Sequence, residues 1–431
     1  MKIIIKGGRI LDPANEMDRV ADLIIEDEKI VSIEENCQDM NAQIIDATDC
    51  YVMPGLIDMH VHLRDPGFTY KEDIKSGTLS AAKGGFTTIV AMPNTNPVID
   101  DVAGVKYVAN QAKSEAVVNV LQVGAITKGQ EGVALANIKE MVAAGSPAIS
   151  EDGKSVMNAQ IYREAMNIAA KCDVPVLAHC EDIDMVDGGC VNDDEATRRQ
   201  GLKGISNAVE DVIVARDIII AKETGAHLHL CHCSTKDSVT MIDEAKMAGI
   251  RLSAEVCPHH FTLTTDDMIA GDTNYKMNPP LRTREDVEEL KRGLKEDIIE
   301  VISTDHAPHS AKEKATTMEN APFGIVGLET CVALTVSELV KTGIITPMQM
   351  AEKCSYNPAK ILKLDKGTLS IGAVADVTII DPDKEYMIDI NGFVSKGKNT
   401  PFDKRKVCGE VMYTICGGEV VYDQQSKEDM R

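Results

Sequence analysis

"AAKGGFTTIVAM", residues 81–92, holds a helix-compatible run, a pair of glycines and then an unbroken apolar stretch rich in β-branched residues. A glycine just past a helix is the usual left-handed terminator, and a continuous Thr/Ile/Val run suits a strand buried on both faces. The same texture returns in "MVAAGSPAIS" (141–150), "AKETGAHLHLC" (221–231) and "AKMAGIRLSAEV" (245–256). Helix, glycine, apolar strand, repeated, predicts βα units and a parallel sheet. The strand candidates are "LIDMHVHL", "FTTIVAM", "VVNVLQV", "PAIS", "VPVLAH", "AHLHLCH", "RLSAEV" and "IEVIST", eight in all. Eight such units predict a TIM (β/α)8 barrel, here over residues 53–365. A doubly wound open sheet is the runner-up. It would not need eight units, and no G-x-G-x-x-G or phosphate loop follows any strand.

The two ends of the chain differ from this middle and resemble each other. "KIIIKGGRILD", "ADLIIEDEKIVSIEE", "ADVTIIDPDKEYMI" and "EVMYTICGGEVVYD" are short apolar runs broken by Gly, Asp and Asn. Short strands with turn residues predict a small β domain, and residues 1–52 and 366–431 are read as one composite β-sandwich. A net charge of −23 excludes nucleic acid and anionic membrane surfaces as natural partners. It also means that any anionic substrate needs a local cation. Trp is absent, which removes stacking platforms for single strands. Twelve cysteines, no secretory h-region at the start and no membrane-length apolar run predict reduced thiols in a cytoplasmic protein.

Barrel chemistry sits at the C-terminal ends of the strands. Those ends carry His60 and His62, Asn94, Asp152, His179, His232, His259 with His260, and Asp305. His60 and His62 are two apart on a strand, so both side chains point to one face. Alone, an H-x-H reads equally well as two ordinary histidines. With His179, His232 and two rim carboxylates it reads as a metal-ligand set. Six ligands exceed one tetrahedral site and suit two ions: His60, His62 and Asp305 on one, His179 and His232 on the other, Asp152 bridging. Two close metals share a water, lower its pKa and polarise a carbonyl, so this is a hydrolytic site. In "HLHLCHC", a straight strand would turn Cys231 and Cys233 away from His232; they are read as packing residues, and His227 and His229 as structural.

"DMHVHLRDPG", "AMPNTNP", "SEDG", "AHCED", "HLCHCST", "EVCPHH", "MNPPLR", "STDHAPH" and "PFGIVGLET" together resemble dihydroorotases of the longer-chain bacterial type, in the amidohydrolase superfamily. The likeness spans essentially the whole chain. H-x-H is shared across the superfamily, whereas "HLRDPG", "NPPLR" and "TDHAPH" are far more specific. It implies metal ligation by His60, His62, Asp152, His179, His232 and Asp305, with two Zn2+ per subunit. It further implies substrate contacts from His62, Arg64, Asn94, Asn278, His309 and the Phe323–Gly324 backbone. The reaction implied is reversible cyclisation of N-carbamoyl-L-aspartate to L-dihydroorotate in pyrimidine (UMP) synthesis, with Asp305 as general base and then acid. Arg64 would hold the substrate carboxylate through two parallel hydrogen bonds; the alternative is a solvated arginine paired with Asp65. Many superfamily members bridge their metals with a carboxylated lysine. Here Asp152 takes that place, with Glu151 and Lys154 as rivals, and a shorter bridge implies a second ion held less fully. A homodimer and association with aspartate transcarbamoylase also follow from the resemblance. Competing readings are another cyclic amidase (dihydropyrimidinase, hydantoinase or allantoinase), a non-catalytic scaffold, and a metal-free protein with a structural histidine rim. Residues 306–323 are either a lid that closes on substrate or a solvated connector.

Overall fold

The computed structural model describes residues 2–39 and 41–425. Met1, Met40 and residues 426–431, part of the two terminal segments read as the sandwich, lie outside the described residues.

The eight predicted strand positions all become strands, and all pair in parallel. The first is Leu56–Val61 and the second Phe86–Ala91. The third runs as Asn119–Gln122, which pairs with the second, and Gly124–Ala125, which pairs with the fourth, Ile149–Ser150. Val176–Ala178, Leu228–Leu230, Leu252–Val256 and Val301–Ile302 follow, each hydrogen-bonded to its predecessor. The barrel closes where Val61 bridges His306 in parallel and His62 N–H donates to the His306 carbonyl at 2.9 Å. Closure removes any free sheet edge and brings the first strand's end against the last strand's end. Every residue of the first two strands is buried, which explains their unbroken apolar texture.

The helices outside are set by local signals. Asp73 caps Ile74–Lys83 in a capping box with Ser76, and Asn158 caps Ala159–Cys172. Ala208–Thr224 stops at Gly225, whose φ of +67° is the left-handed terminator anticipated from "TGA".

Strands from both chain ends share one eight-stranded sheet. Its N-terminal strands are Lys2–Asp12, Met17–Glu26, Lys29–Glu34, Gln43–Asp46 and Tyr51–Pro54. Its C-terminal strands are Val377–Met387, Lys406–Cys416 and Glu419–Asp423. The join is antiparallel, Val52 opposite Ile379 and Pro54 opposite Val377. Ile3, Ile5, Leu23, Ile25, Val52, Val377, Ile379 and Ile415 form its buried core. Tyr51–Pro54 leads directly into the first barrel strand, so this sheet steadies the strand that delivers His60. Among the described residues no helix is long and apolar enough to cross a membrane.

Candidate active site

Four strand ends converge on Asp152. His60 Nε2 lies 3.1 Å from Asp152 Oδ1, and His62 Nε2 lies 3.5 Å from Asp152 Oδ2. His179 Nδ1 and His232 Nε2 lie 3.7 and 3.8 Å from Oδ1. Asp305 Oδ1 stands 3.0 Å from His62 Nε2 and 3.7 Å from His60 Nε2, while His179 Nδ1 and His232 Nε2 are 2.9 Å apart. One carboxylate thus sits between a His60–His62–Asp305 group and a His179–His232 group. The rivals are engaged elsewhere. Glu151 accepts from the Ile126 and Thr127 amides and the Thr127 hydroxyl, and Lys154 donates to the Gln130 carbonyl.

The donor set fits divalent cations. His60 Nε2 and Asp152 Oδ1, although 3.1 Å apart, are buried without an aligned hydrogen bond, a costly state for polar atoms unless something binds them. His60, His62 and Asp305, and likewise His60, Asp152 and His232, bring one ligand atom each within 4.8 Å of one another. Three of the four inward-facing rings are held from behind. His60 Nδ1 donates to Glu255 at 2.9 Å, His62 Nδ1 to Asn94 Oδ1 at 2.9 Å, and His179 Nε2 to Glu181 at 3.4 Å. Such outer acceptors fix the tautomer and leave the inner nitrogen free to ligate. Burial alone would push the Asp152 carboxyl up, but His60, His232 and His62 around it hold it well below the usual carboxylate range. Asp305 is likewise held low against burial, by the His62 hydrogen bond and the His60 charge.

Of the residues expected to bind metal or substrate, all but His60 line one cavity of about 200 Å³, which His259 and His260 do not join. Arg64 enters at φ +59° and donates through Nε to the Pro308 carbonyl at 3.3 Å, with Nη2 3.5 Å from His309 Nε2. It forms no ion pair with Asp65, which instead accepts from the Tyr107 hydroxyl at 3.0 Å. His309 donates to the Phe323 carbonyl at 2.8 Å, and burial together with Arg64 and Lys71 pushes its imidazole down to about 2, so the ring is neutral. Some of the expected substrate contacts are already committed within the protein. The Asn94 amide serves His62 and Asp152, Asn278 donates to Glu181 at 2.9 Å, and Gly324 donates to the Lys276 carbonyl at 3.0 Å.

Two features escaped the sequence reading. Glu255 is a wholly buried carboxylate that also accepts from His229, Ser303 and the His232 amide. Its only signal is an acid inside the apolar strand "RLSAEV", since a buried charge demands partners. At "CHC" the chain is not the straight strand expected. The sixth strand ends at Leu230, and His232 takes a φ of +34°, so alternation stops there. Cys231, though buried in an apolar cluster, stands close to His60 and Glu255. His227 and His229 are structural as read, both meeting Ser253 Oγ. His260 donates to the Pro279 carbonyl, away from the cavity.

Known proteins supply the context. A family model described as "Dihydro-orotase-like" matches residues 50–238. The dihydroorotase of Acetivibrio thermocellus is 46% identical over 97% of this chain and 98% of its own length. That of Pelotomaculum thermopropionicum is 47% identical over 98% of each. The L-hydantoinase (dihydropyrimidinase) structure from Arthrobacter aurescens superposes with a TM-score of 0.87 at 26% identity, covering 98% of this chain and 96% of that one. A closed βα barrel, a sheet built from both chain ends and a buried His/Asp cluster at the strand ends define a metal-dependent cyclic amidohydrolase. Within that class the chain belongs to the dihydroorotase family.

Proposed function

We propose that this enzyme interconverts N-carbamoyl-L-aspartate and L-dihydroorotate, closing or opening a cyclic amide in pyrimidine (UMP) synthesis. The observation that carries the reading is a single small cavity in which the His/Asp cluster faces Arg64, an arginine with no carboxylate ion pair among the described residues. One half of the cavity suits amide chemistry and the other suits a carboxylate. Hydantoin, dihydropyrimidine and allantoin rings lack this carboxylate and give Arg64 nothing to hold.

His60, His62 and Asp305 would hold one Zn2+, His179 and His232 a second, and Asp152 both, the second less fully. A cation pair supplies a water of lowered pKa and polarises the amide carbonyl. Asp305 accepts the proton of the attacking water and returns it to the departing ring nitrogen; in the cyclising direction the same transfers run backwards. Arg64 grips the substrate carboxylate with His309 beside it, and its charge offsets the repulsion expected from the protein's net −23. Asn94 holds His62 and Asp152 in place, while Asn278 and the Phe323–Gly324 backbone bound the remainder. We read the enzyme as a cytoplasmic homodimer, in keeping with twelve unpaired cysteines. Association with aspartate transcarbamoylase is a separate expectation, to be tested by co-purification.

The purified protein should turn over carbamoyl-aspartate and dihydroorotate, ignore hydantoin, and lose activity with a chelator. Faster turnover of hydantoin than of dihydroorotate rejects the substrate assignment. Asp305→Asn should abolish turnover, and near-wild-type activity in that variant rules out the proton shuttle.

A further inference from the structure

We propose that Asn399, in the C-terminal stretch "SKGKNTPF" (395–402), is a positioning residue that fixes the wall of the cavity carrying His309 and Gly324. The proposal deepens the reading above and rests on it for its kinetic readout alone.

Asn399 is 4% exposed and lies outside the barrel strands, yet its side chain bonds both arms of the segment that leaves the eighth strand. Its Oδ1 accepts the His309 amide at 2.9 Å, and its Nδ2 donates to the Ala307 and Gly324 carbonyls at 3.1 and 3.0 Å. Its own carbonyl accepts the Val326 amide at 3.0 Å. One primary amide therefore ties residue 307, residue 309 and residue 324 together. The consequences reach both groups assigned to the substrate carboxylate. Pro308, between the two tied positions, offers its carbonyl to Arg64 Nε. The His309 ring closes the same span through the Phe323 carbonyl.

The surrounding packing leaves this amide little freedom. A Cβ on Gly397 would stand 2.7 Å from Pro308 Cβ, so the backbone two residues before Asn399 lies directly against the segment it holds. Ser395 donates to Glu72, which also accepts from His306 at 3.3 Å, anchoring the C-terminal stretch beside the barrel closure. The far arm is pinned independently. Lys314 Nζ donates to the Thr273, Lys276 and Pro322 carbonyls at 3.1, 3.0 and 2.9 Å. The two ends of the 306–324 segment are thus tied to each other and to the C-terminal stretch. Removing the Asn399 amide would leave one N–H and two carbonyls buried without partners, and the wall would open to satisfy them with water.

The test uses the full-length, metal-loaded enzyme. Asn399→Ala should raise KM for carbamoyl-aspartate about tenfold or more while kcat stays within about threefold, because ground-state grip is lost and the proton carrier is not. Bound metal should be unchanged. Amide hydrogen exchange should quicken in peptides covering 307–324 and stay constant in the barrel strands. If Asn399→Ala does not fold, Asn399→Asp, which keeps the acceptor for His309 but loses both donors, should give the same pattern. Unchanged KM with unchanged exchange over 307–324 overturns the proposal. So does a loss of kcat with globally faster exchange, which marks a merely structural residue. Should the wild type fail to turn over carbamoyl-aspartate, the functional reading falls, and local exchange alone decides the role of Asn399.

Discussion

Arg64, His232 and Asp305 occupy left-handed backbone conformations, with φ of +59°, +34° and +48°. Non-glycine residues avoid this region, and holding them there costs about 1 kcal/mol or more each unless the surroundings enforce it. The enforcement is visible: the Pro308 carbonyl on Arg64, Glu255 on the His232 amide, and His62 on Asp305. Each strained residue aims its side chain into the cavity. Arg64→Met keeps the bulk and removes the guanidinium, so KM for carbamoyl-aspartate should rise by about two orders of magnitude with a much smaller change in kcat; steady-state kinetics giving an unchanged KM would reject the carboxylate grip. Lys314 gives a second prediction. Burial, helped by the Lys276 charge, pushes its ammonium down to about 7, from an ordinary value near 10.5 in the unfolded chain. The unfolded state then binds more protons between these two values, so this residue makes stability rise with pH across that window. Urea titrations at pH 7 and 9 should show a larger gain for the wild type than for Lys314→Met. At this scale the converging cluster was legible because imidazoles and acids at strand ends have few other reasons to be there. Glu255, Glu181 and Asn399 were not, because an outer hydrogen-bond partner can come from any part of the chain and carries no spacing of its own.

The eight strands were legible because burial on both faces writes an unbroken apolar run, and the glycines between helix and strand mark each junction. What the sequence could not convey is where each strand stops. Ile149–Ser150 and Val301–Ile302 are only two residues long as paired elements, yet the polar residues following them, Asp152 and Asp305, shape the cavity. Alternation of faces fails past Leu230, where His232 turns to positive φ; past Val61 it persists, because the His62 amide is still held by the His306 carbonyl and the ring turns to Asp152 with that of His60. Helix punctuation is testable directly. Gly225 closes Ala208–Thr224 at positive φ with open space where a Cβ would go. Gly225→Ala should therefore cost about 1 kcal/mol through backbone strain alone, read as a lower urea midpoint with an unchanged slope. Its kinetic constants should match the wild type, since the substitution lies far from the cavity in the chain's outer layer.

For the molecule as a whole, the net charge of −23 opposes an anionic substrate at long range, while Arg64 in its proposed role would attract it at short range. Salt screens the first more than the second, because the distant charges lie beyond a Debye length of about 10 Å at 0.1 M. The ratio kcat/KM for carbamoyl-aspartate should rise between low and physiological ionic strength, and a fall would show that the general field does not govern encounter. Removing bound metal should lower the melting temperature as well as abolish turnover, because a ligand held only by the native state stabilises it. An identical thermal transition after chelation would argue against ions at the Asp152 cluster.

The shared sheet has a consequence for how the enzyme comes into being. Tyr51–Pro54, the run that feeds the strand bearing His60, is paired on one side with Lys2–Asp12 and on the other with Val377–Met387. A nascent chain leaving the ribosome acquires every donor of the cluster by residue 305, yet its leading strand still lacks the late-made neighbour that steadies it. The strand bearing His60 therefore gains its full frame only after Val377–Met387 has been made, later than Asp305, the last acid of the cluster.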